Sequence, residues 1–185
     1  MLTLEKFQYQ LGHARKLRPD DALLRAIGDV RSVFDATAGL GRDSAALALA
    51  GYDVTACERA SAIAAMWKQA RLPKRLRFID GDARHILRAL AIEGLRVVPE
   101  AVLLDPMYPD DGDRKSAPTK DLVDRREVVG DDADAPELLA IAREVASLRV
   151  VVKRPKKAKP IAPNPSHSWE GASTRYDLYL RNSAK

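Results

Sequence analysis

Cysteine is nearly absent from this sequence, since Cys57 is the only one among 185 residues. A single thiol excludes an internal disulfide and any zinc or iron–sulfur site built from several cysteines. His13, His85 and His167 are too scattered to show the spacing of metal ligands. We therefore predict no metal site, and we expect Cys57 to pack inside a strand.

Long apolar runs are missing as well. No stretch approaches the ~18 apolar residues of a membrane-spanning helix, and the first residues lack the basic and apolar regions of a secretory signal. We therefore expect a cytoplasmic protein. With 46% hydrophobic residues the chain can bury one core. We expect a single domain over residues 1–185, with residues 1–28 as a short N-terminal helical extension.

Acidic residues are scarce at the carboxyl-terminal end of a chain whose net charge is +5 and whose pI is near 9.4. From residue 149 onward, nine lysines and arginines face only Glu170 and Asp177, which is typical of a polyanion-binding segment. Residues 110–137 are instead acidic, and we expect a solvated loop there. Charge alone leaves RNA binding and a merely soluble surface as open alternatives.

Apolar segments alternate with helical patterns along most of the chain. The predicted strands are residues 30–35, 53–58, 76–80, 101–105 and 150–153, and the predicted helices are residues 20–27, 43–50, 61–70, 83–92 and 136–147. This alternation predicts an α/β fold with a doubly wound, mostly parallel sheet. Residues 176–180 have no preceding helix, so we expect an antiparallel strand at the sheet edge. We expect a loop over residues 155–165.

A glycine-containing loop follows the first predicted strand. Gly39 and Gly41 allow the backbone to approach a ligand closely, and the helix that follows supplies free N–H groups at its start. Glu58 closes the second strand 17 residues after Gly41, where a ribose-binding acid lies in doubly wound folds. The sequence therefore indicates a nucleotide-like cofactor.

The loop favours S-adenosylmethionine over a dinucleotide. Ser44 stands where the third glycine of the dinucleotide fingerprint would fall. Asp35, just before the loop, suits a ligand that carries an ammonium and a sulfonium instead of a pyrophosphate. The alternative role of Asp35 is that of a turn or cap carboxylate.

Charged residues end most of the predicted strands. They are Asp35, Glu58, Asp80, Asp105 and Lys153. Because open parallel sheets bind ligands beyond the carboxyl ends of their strands, we expect the carboxylates to meet in one cleft. Asp82, just past the third strand, is a candidate acceptor for an adenine amino group, although Asp80-Gly81-Asp82 is equally compatible with a plain turn.

The segment Asp105-Pro106-Met107-Tyr108-Pro109 follows the fourth strand. Each proline restricts the residue before it to an extended backbone conformation, so the conformations of Asp105 and Tyr108 are limited by their neighbours in the sequence. We expect the Asp105 carboxylate and the Pro106 carbonyl to orient the N–H groups of a base amine, while Tyr108 stacks on the base. The alternative is a proline-rich turn without a catalytic role.

Four blocks occur together in this order: residues 35–43 (DATAGLGRD), 104–109 (LDPMYP), 150–155 (VVVKRP) and 175–179 (RYDLY). Together they resemble the ribosomal RNA small subunit methyltransferase J family, roughly over residues 7–180. The resemblance implies a class I, Rossmann-like methyltransferase fold and S-adenosylmethionine as cofactor. It also implies N2-methylation of a guanosine, with 16S rRNA or the small ribosomal subunit as partner.

The resemblance also implies site residues. Its cofactor-contacting positions are Arg42, Asp43, Glu58, Arg59, Asp82, Ala83 and Asp105. Arg42 and Arg59 rest on the resemblance only, and their alternative role is that of surface arginines at helix starts. Lys153 and Arg154 are candidates for holding RNA phosphate or sugar, with a structural salt bridge as the alternative.

The chain departs from that family at two places. Members usually carry several dozen residues before the position of Phe7, where this chain has six. The loop after Pro109 is also richer in aspartate. Both departures concern substrate choice and not cofactor binding.

Three other functions remain open on the sequence. An adenine-N6 or cytosine-N4 methyltransferase typically carries two adjacent prolines after its acid or amide, and Met107 replaces the second one here. A nicotinamide-dependent oxidoreductase is disfavoured by the missing third glycine. A non-enzymatic RNA-binding module would bind RNA with or without S-adenosylmethionine, and its affinity would fall with salt.

Overall fold

The structure, a computed structural model, describes residues 3–92, 98–107 and 133–181. The helices in these ranges are α1 (Leu4–Gly12), α2 (Ala22–Ile27), α3 (Arg42–Leu49), α4 (Ser61–Gln69), α5 (Ala83–Ile92) and α6 (Ala135–Val145). The strands are β1 (Ser32–Asp35), β2 (Asp53–Glu58), β3 (Leu76–Asp80), β4 (Ala101–Leu104), β5 (Arg149–Pro155), β6 (His167–Glu170) and β7 (Thr174–Leu180). Within the same ranges, no helix is long and apolar enough to cross a bilayer.

The strands form one sheet in the order β3-β2-β1-β4-β5-β7-β6. Strands β1 to β5 pair in parallel, whereas β7 pairs antiparallel with both β5 and β6. The chain runs outward from β1 to β3 and returns to β4 on the other side of β1. Strand order therefore reverses between β1 and β4. The predicted doubly wound, mostly parallel sheet with an antiparallel carboxyl-terminal edge is confirmed.

Both faces of the sheet are covered by helices. Val33, Leu103 and Val151 contribute to a core that includes buried residues of α1 to α4, whereas Phe34 and Val102 face a second core with α5 and α6. Strands buried on both faces need apolar side chains at successive positions. This requirement explains why the central strands appear in the sequence as short, unbroken apolar runs.

The segment predicted as an N-terminal helical extension contains α1 and α2. Phe7 and Leu11, four residues apart, lie on one face of α1 and are buried in the first core. Helix α2 begins two residues later than predicted because Asp21 caps it, accepting the backbone N–H of Leu23 at 3.0 Å.

The antiparallel edge is larger than predicted. Strand β5 continues to Pro155, inside the predicted loop, and pairs there with Thr174 at the start of β7. Strand β6 was not predicted because it is short and polar. Its pairing with β7 stabilises it, and such pairing leaves little signal in a four-residue segment.

Candidate active site

A cleft opens at the carboxyl ends of β1 to β4, where strand order reverses. We call it the central cleft. The predicted site residues that line it are Gly39, Glu58, Arg59, Asp82, Ala83, Asp105 and Pro106. Met107 after β4 and Leu138 of α6 add apolar surface. Side chains from separate strand ends are thus brought to the position where doubly wound sheets bind ligands.

The glycine loop is held in place by the buried side chain of Trp67 on α4. The indole Nε1 donates to the Gly39 carbonyl at 2.8 Å, and Trp67 stacks on Phe78 with ring centroids 5.0 Å apart. Gly41 has a φ of +73°, and a Cβ there would lie 2.6 Å from Trp67 and 2.7 Å from Leu11. Glycine is therefore required at this position by both backbone conformation and packing.

Glu58 connects the end of β2 to the loop. Its Oε2 accepts the backbone N–H of Gly39 at 2.9 Å, and its Oε1 accepts that of Ala60 at 2.7 Å. An ionised carboxylate offers about four lone-pair sites, so these two bonds leave acceptor capacity for hydroxyl donors in the cleft. Glu58 is fixed by the backbone before any ligand arrives.

Asp35 is 3% exposed and ties the loop to α3. Ser44 Oγ donates to its Oδ2 at 2.5 Å, and the backbone N–H of Thr37 donates to its Oδ1 at 3.3 Å. Burial, opposed by the bond from Ser44, raises the pKa of Asp35 to about 7. The geometry thus places Asp35 inside the supporting structure of the loop.

Asp105 is connected to its surroundings at both backbone and side chain. Its N–H donates to Thr37 Oγ1 at 2.6 Å, and its Oδ2 accepts from Lys153 Nζ at 2.9 Å. The same ammonium donates to Asp43 Oδ2 at 2.8 Å. Burial lowers the pKa of Lys153, but the carboxylates of Asp105 and Asp43 outweigh it and raise that pKa above its ordinary value.

From the sequence, Lys153 was predicted only to contact RNA or to form an unspecified salt bridge. The pairing of β4 with β5 would have predicted its contact with Asp105. Val152 pairs with Leu104 in the parallel β4–β5 ladder. Lys153 follows Val152 on β5 and Asp105 directly follows the end of β4, so these two residues lie side by side. Lys153 occupies the interior of β5, whereas we predicted it at the strand's end.

A charged network surrounds Asp82 at the other side of the central cleft. Arg84 Nη2 donates to Asp82 Oδ2 at 2.6 Å, and its Nη1 contacts Glu137 at 2.8 Å. Arg59 pairs with Asp134 at 2.5 Å. The hydrogen bonds from Arg84 lower the pKa of Asp82 to about 2, against a smaller effect of burial, so Asp82 is ionised at neutral pH. Sequence reasoning did not identify Arg84 or Asp134.

The remaining predicted site residues lie at different places. Arg42 is exposed in the first turn of α3 and lines a second groove, described below. Arg154 donates to the Lys159 carbonyl at 2.5 Å. Asp80 lies outside the central cleft lining and pairs with Lys68. Tyr108, Pro109 and most of the acidic segment 110–137 lie outside the described residues.

Cys57 packs against the second core, as predicted, and burial raises the pKa of its thiol to about 12. In the part of the chain that the structure describes, no group of three or more potential ligands is arranged to hold a metal ion.

The chain is similar to proteins of one family. A family model described as "Putative SAM-dependent methyltransferase" matches residues 7–181. A Chromohalobacter salexigens protein named ribosomal RNA small subunit methyltransferase J is 42% identical over 172 aligned residues, which cover 86% of this chain and 66% of that protein. A Pseudomonas aeruginosa protein of the same name is 43% identical over 163 residues, which cover 82% and 60%. The chain thus spans slightly less than two thirds of the length of these relatives.

A solved structure is similar over nearly the whole chain. The SAM-dependent methyltransferase from Neisseria gonorrhoeae matches 97% of this chain and 74% of its own length, with 31% sequence identity and a TM-score of 0.71.

Proposed function

The chain belongs to the SAM-dependent methyltransferase family, and we propose that it transfers a methyl group from S-adenosylmethionine to the exocyclic N2 of a guanosine in 16S rRNA. The observation that carries this proposal is the joint position of the glycine loop, Glu58 and Asp105-Pro106 in one cleft. The relatives named ribosomal RNA small subunit methyltransferase J supply the substrate class.

The donor and acceptor groups of the cleft fit the cofactor. Glu58 can accept ribose hydroxyls, and the ionised Asp82 can accept an adenine amino group, since both carboxylates line the cleft. Gly39 of the glycine loop lines the same cleft, and we place the methionine end of the ligand beside this loop. When bound, the cofactor supplies an electrophilic methyl group on a positively charged sulfur.

Asp105 and Pro106 are suited to orient the base amine. Such an amine is a poor nucleophile, because its lone pair is delocalised into the ring. Acceptors for its N–H groups must therefore turn the nitrogen toward the methyl group. Lys153 holds one oxygen of Asp105, and the other oxygen together with the Pro106 carbonyl supplies the two acceptors. We also propose that Tyr108 stacks on the base.

The substrate must present its target base outside a helical stack. A guanine in a duplex cannot bring its amino group to carboxylates inside a cleft unless it is flipped out. We therefore propose that the natural substrate, naked 16S rRNA or the small ribosomal subunit, offers this guanosine in an accessible, single-stranded form.

Methyl transfer from labelled S-adenosylmethionine tests the proposal. Small-subunit particles and naked 16S rRNA, both lacking the modification, are incubated with the chain, and the nucleosides are identified by mass analysis. N2-methylguanosine is the expected product. N6-methyladenosine would contradict the base assignment, and RNA binding without transfer would favour a non-enzymatic RNA-binding module.

A matched pair of variants tests the site. Asp105→Asn removes the acceptor charge and should lower methyl transfer about 100-fold or more. Asp53→Asn changes an exposed aspartate at the opposite end of the sheet, where it pairs with Arg75, and should leave transfer nearly unchanged. Equal effects of the two substitutions would contradict the role of Asp105.

A further inference from the structure

A second, wider groove lies next to the central cleft. It runs between α1, the segment before α2, the start of α3 and the turn between β6 and β7. We call it the flanking groove. Asp43 and Lys153 line it, and Lys153 also contacts Asp105 in the central cleft at 2.9 Å. The flanking groove is therefore separated from the proposed methyl-transfer site only by the side chain of Lys153.

We propose that the flanking groove binds single-stranded RNA nucleotides next to the target guanosine, with Tyr9 as a stacking platform for one base. This inference rests on the proposed function, because it assigns a second contact surface to the same RNA substrate. Tyr9 itself is not among the residues assigned to the cofactor or to the target base.

Tyr9 has the properties of a stacking platform. It is 64% exposed on α1, away from the buried positions Phe7 and Leu11, so it contributes little to the core. Its ring stacks on His13 with centroids 4.0 Å apart and an interplanar angle of 18°. His13 is itself held by a 3.0 Å bond from Nδ1 to the Tyr9 carbonyl. One face of the ring is thus supported, and the ring's large exposure leaves surface for a base.

The charges of the groove favour stacking as the main source of affinity. Arg15, Arg18, Arg42 and Lys153 line it, and an equal number of carboxylates lines it as well. Arg15 pairs with Asp21, so its charge is already partly compensated. Arg18 is more exposed than Arg15, with a side chain that is 84% exposed and lies 3.7 Å from Asp20. We therefore expect one or two phosphate contacts at most, and a weak dependence of affinity on salt.

Two substitutions at Tyr9 test the stacking. Tyr9→Ala removes the ring, whereas Tyr9→Phe keeps it and loses only the hydroxyl. Binding of a fluorescein-labelled single-stranded RNA oligonucleotide with the target sequence is measured by anisotropy, and methyl transfer to unmodified particles gives kcat and KM. Tyr9→Ala should weaken RNA binding and raise KM about 5- to 100-fold, while Tyr9→Phe should stay within about twofold of the unsubstituted chain.

Further measurements separate stacking from other causes. Leu49→Ala removes another exposed apolar side chain, on α3 outside the groove, and should change neither RNA binding nor KM. The dissociation constant for S-adenosylmethionine and the melting temperature should be the same in all variants, since Tyr9 is largely exposed. The inference is overturned if the unsubstituted chain methylates RNA and Tyr9→Ala does so with unchanged KM and RNA affinity. A chain that forms no N2-methylguanosine would instead contradict the proposed function.

Discussion

At the scale of single residues, Lys153 connects the central cleft to the flanking groove. Its ammonium lies between Asp105, which we assign to the base amine, and Asp43 in the first turn of α3. We infer that Lys153 is a positioning residue for Asp105. Lys153→Met leaves two partly buried carboxylates close together without their shared cation, which is unfavourable. We expect kcat to fall at least about tenfold, with KM for particles changing less than about threefold.

Kinetics distinguish this role from an RNA contact. If Lys153 bound RNA phosphate, its loss would raise KM and leave kcat nearly unchanged. Lys153→Arg keeps the charge and should recover part of kcat. If Lys153 had only a structural role, Lys153→Met would lower the melting temperature but would not lower kcat selectively while KM stayed nearly unchanged. Arg77→Met on β3, an exposed cation at the opposite edge of the sheet, is the matched control.

Asp35 gives the folded protein a characteristic pH dependence. Its pKa is raised from 3.8 to about 7, mainly by burial. Between these values the folded state binds the proton that the unfolded state releases, so stability falls as pH rises through this window. Asp35→Asn removes this contribution. Relative to the unsubstituted chain, the variant should gain about 1–1.4 kcal/mol of unfolding free energy per pH unit between pH ~4 and ~7.

Urea unfolding of both proteins at several pH values measures this difference. Asp53→Asn, which changes an exposed carboxyl, serves as the control and should show no comparable trend. A stability difference for Asp35→Asn that is constant or falls with pH would show that Asp35 is ionised throughout the window.

At the scale of elements, the glycine loop depends on α1 and α4. Gly41→Ala must place a Cβ against Trp67 and Leu11 and also keep a positive φ. We expect a loss of about 2 kcal/mol or more in unfolding free energy, and weaker S-adenosylmethionine binding, because the loop is displaced. Gly51→Ala is a matched control. Gly51 also has a positive φ, but no atom lies within 4 Å of its added Cβ.

Chemical unfolding and calorimetric titration with S-adenosylmethionine separate the two effects. Gly51→Ala should lose stability through backbone strain alone and keep its cofactor affinity. If both variants lost the same stability and the same affinity, packing of the loop on Trp67 would not be what positions it.

The central strands were predictable from the sequence because strands buried on both faces consist of consecutive apolar residues. All four residues of β4 are buried, and β2 ends at Glu58 as predicted. The edge strand β6 was not predictable, since its stability comes from pairing with β7 and not from its own side chains. Contacts between residues far apart in the sequence could not be predicted either, because they depend on how the strands and helices pack. Lys153 and Asp43 are 110 positions apart, and Arg59 and Asp134 are 75 apart.

At the scale of the whole molecule, the ligand site joins segments that are distant in sequence. Residues after β1, β2, β3 and β4 line the central cleft together with the start of α6. A ligand held by all of them binds only the folded chain and must therefore stabilise the fold as a whole. At 100 times its dissociation constant, S-adenosylmethionine should add about 2.7 kcal/mol. For a chain of this size that corresponds to a rise in melting temperature of about 5–10 °C.

Thermal unfolding with different ligands turns this expectation into a test of the cofactor. NADH at the same concentration should give no shift, because the loop lacks the third glycine of the dinucleotide fingerprint. Glu58→Gln weakens an acceptor proposed for the ribose and should reduce the shift caused by S-adenosylmethionine. Glu144→Gln, an exposed change on α6 outside the cleft lining, should retain the full shift. An equal shift for both variants would contradict the role of Glu58 as a ligand contact. A shift with NADH would contradict the preference of the loop for S-adenosylmethionine over a dinucleotide.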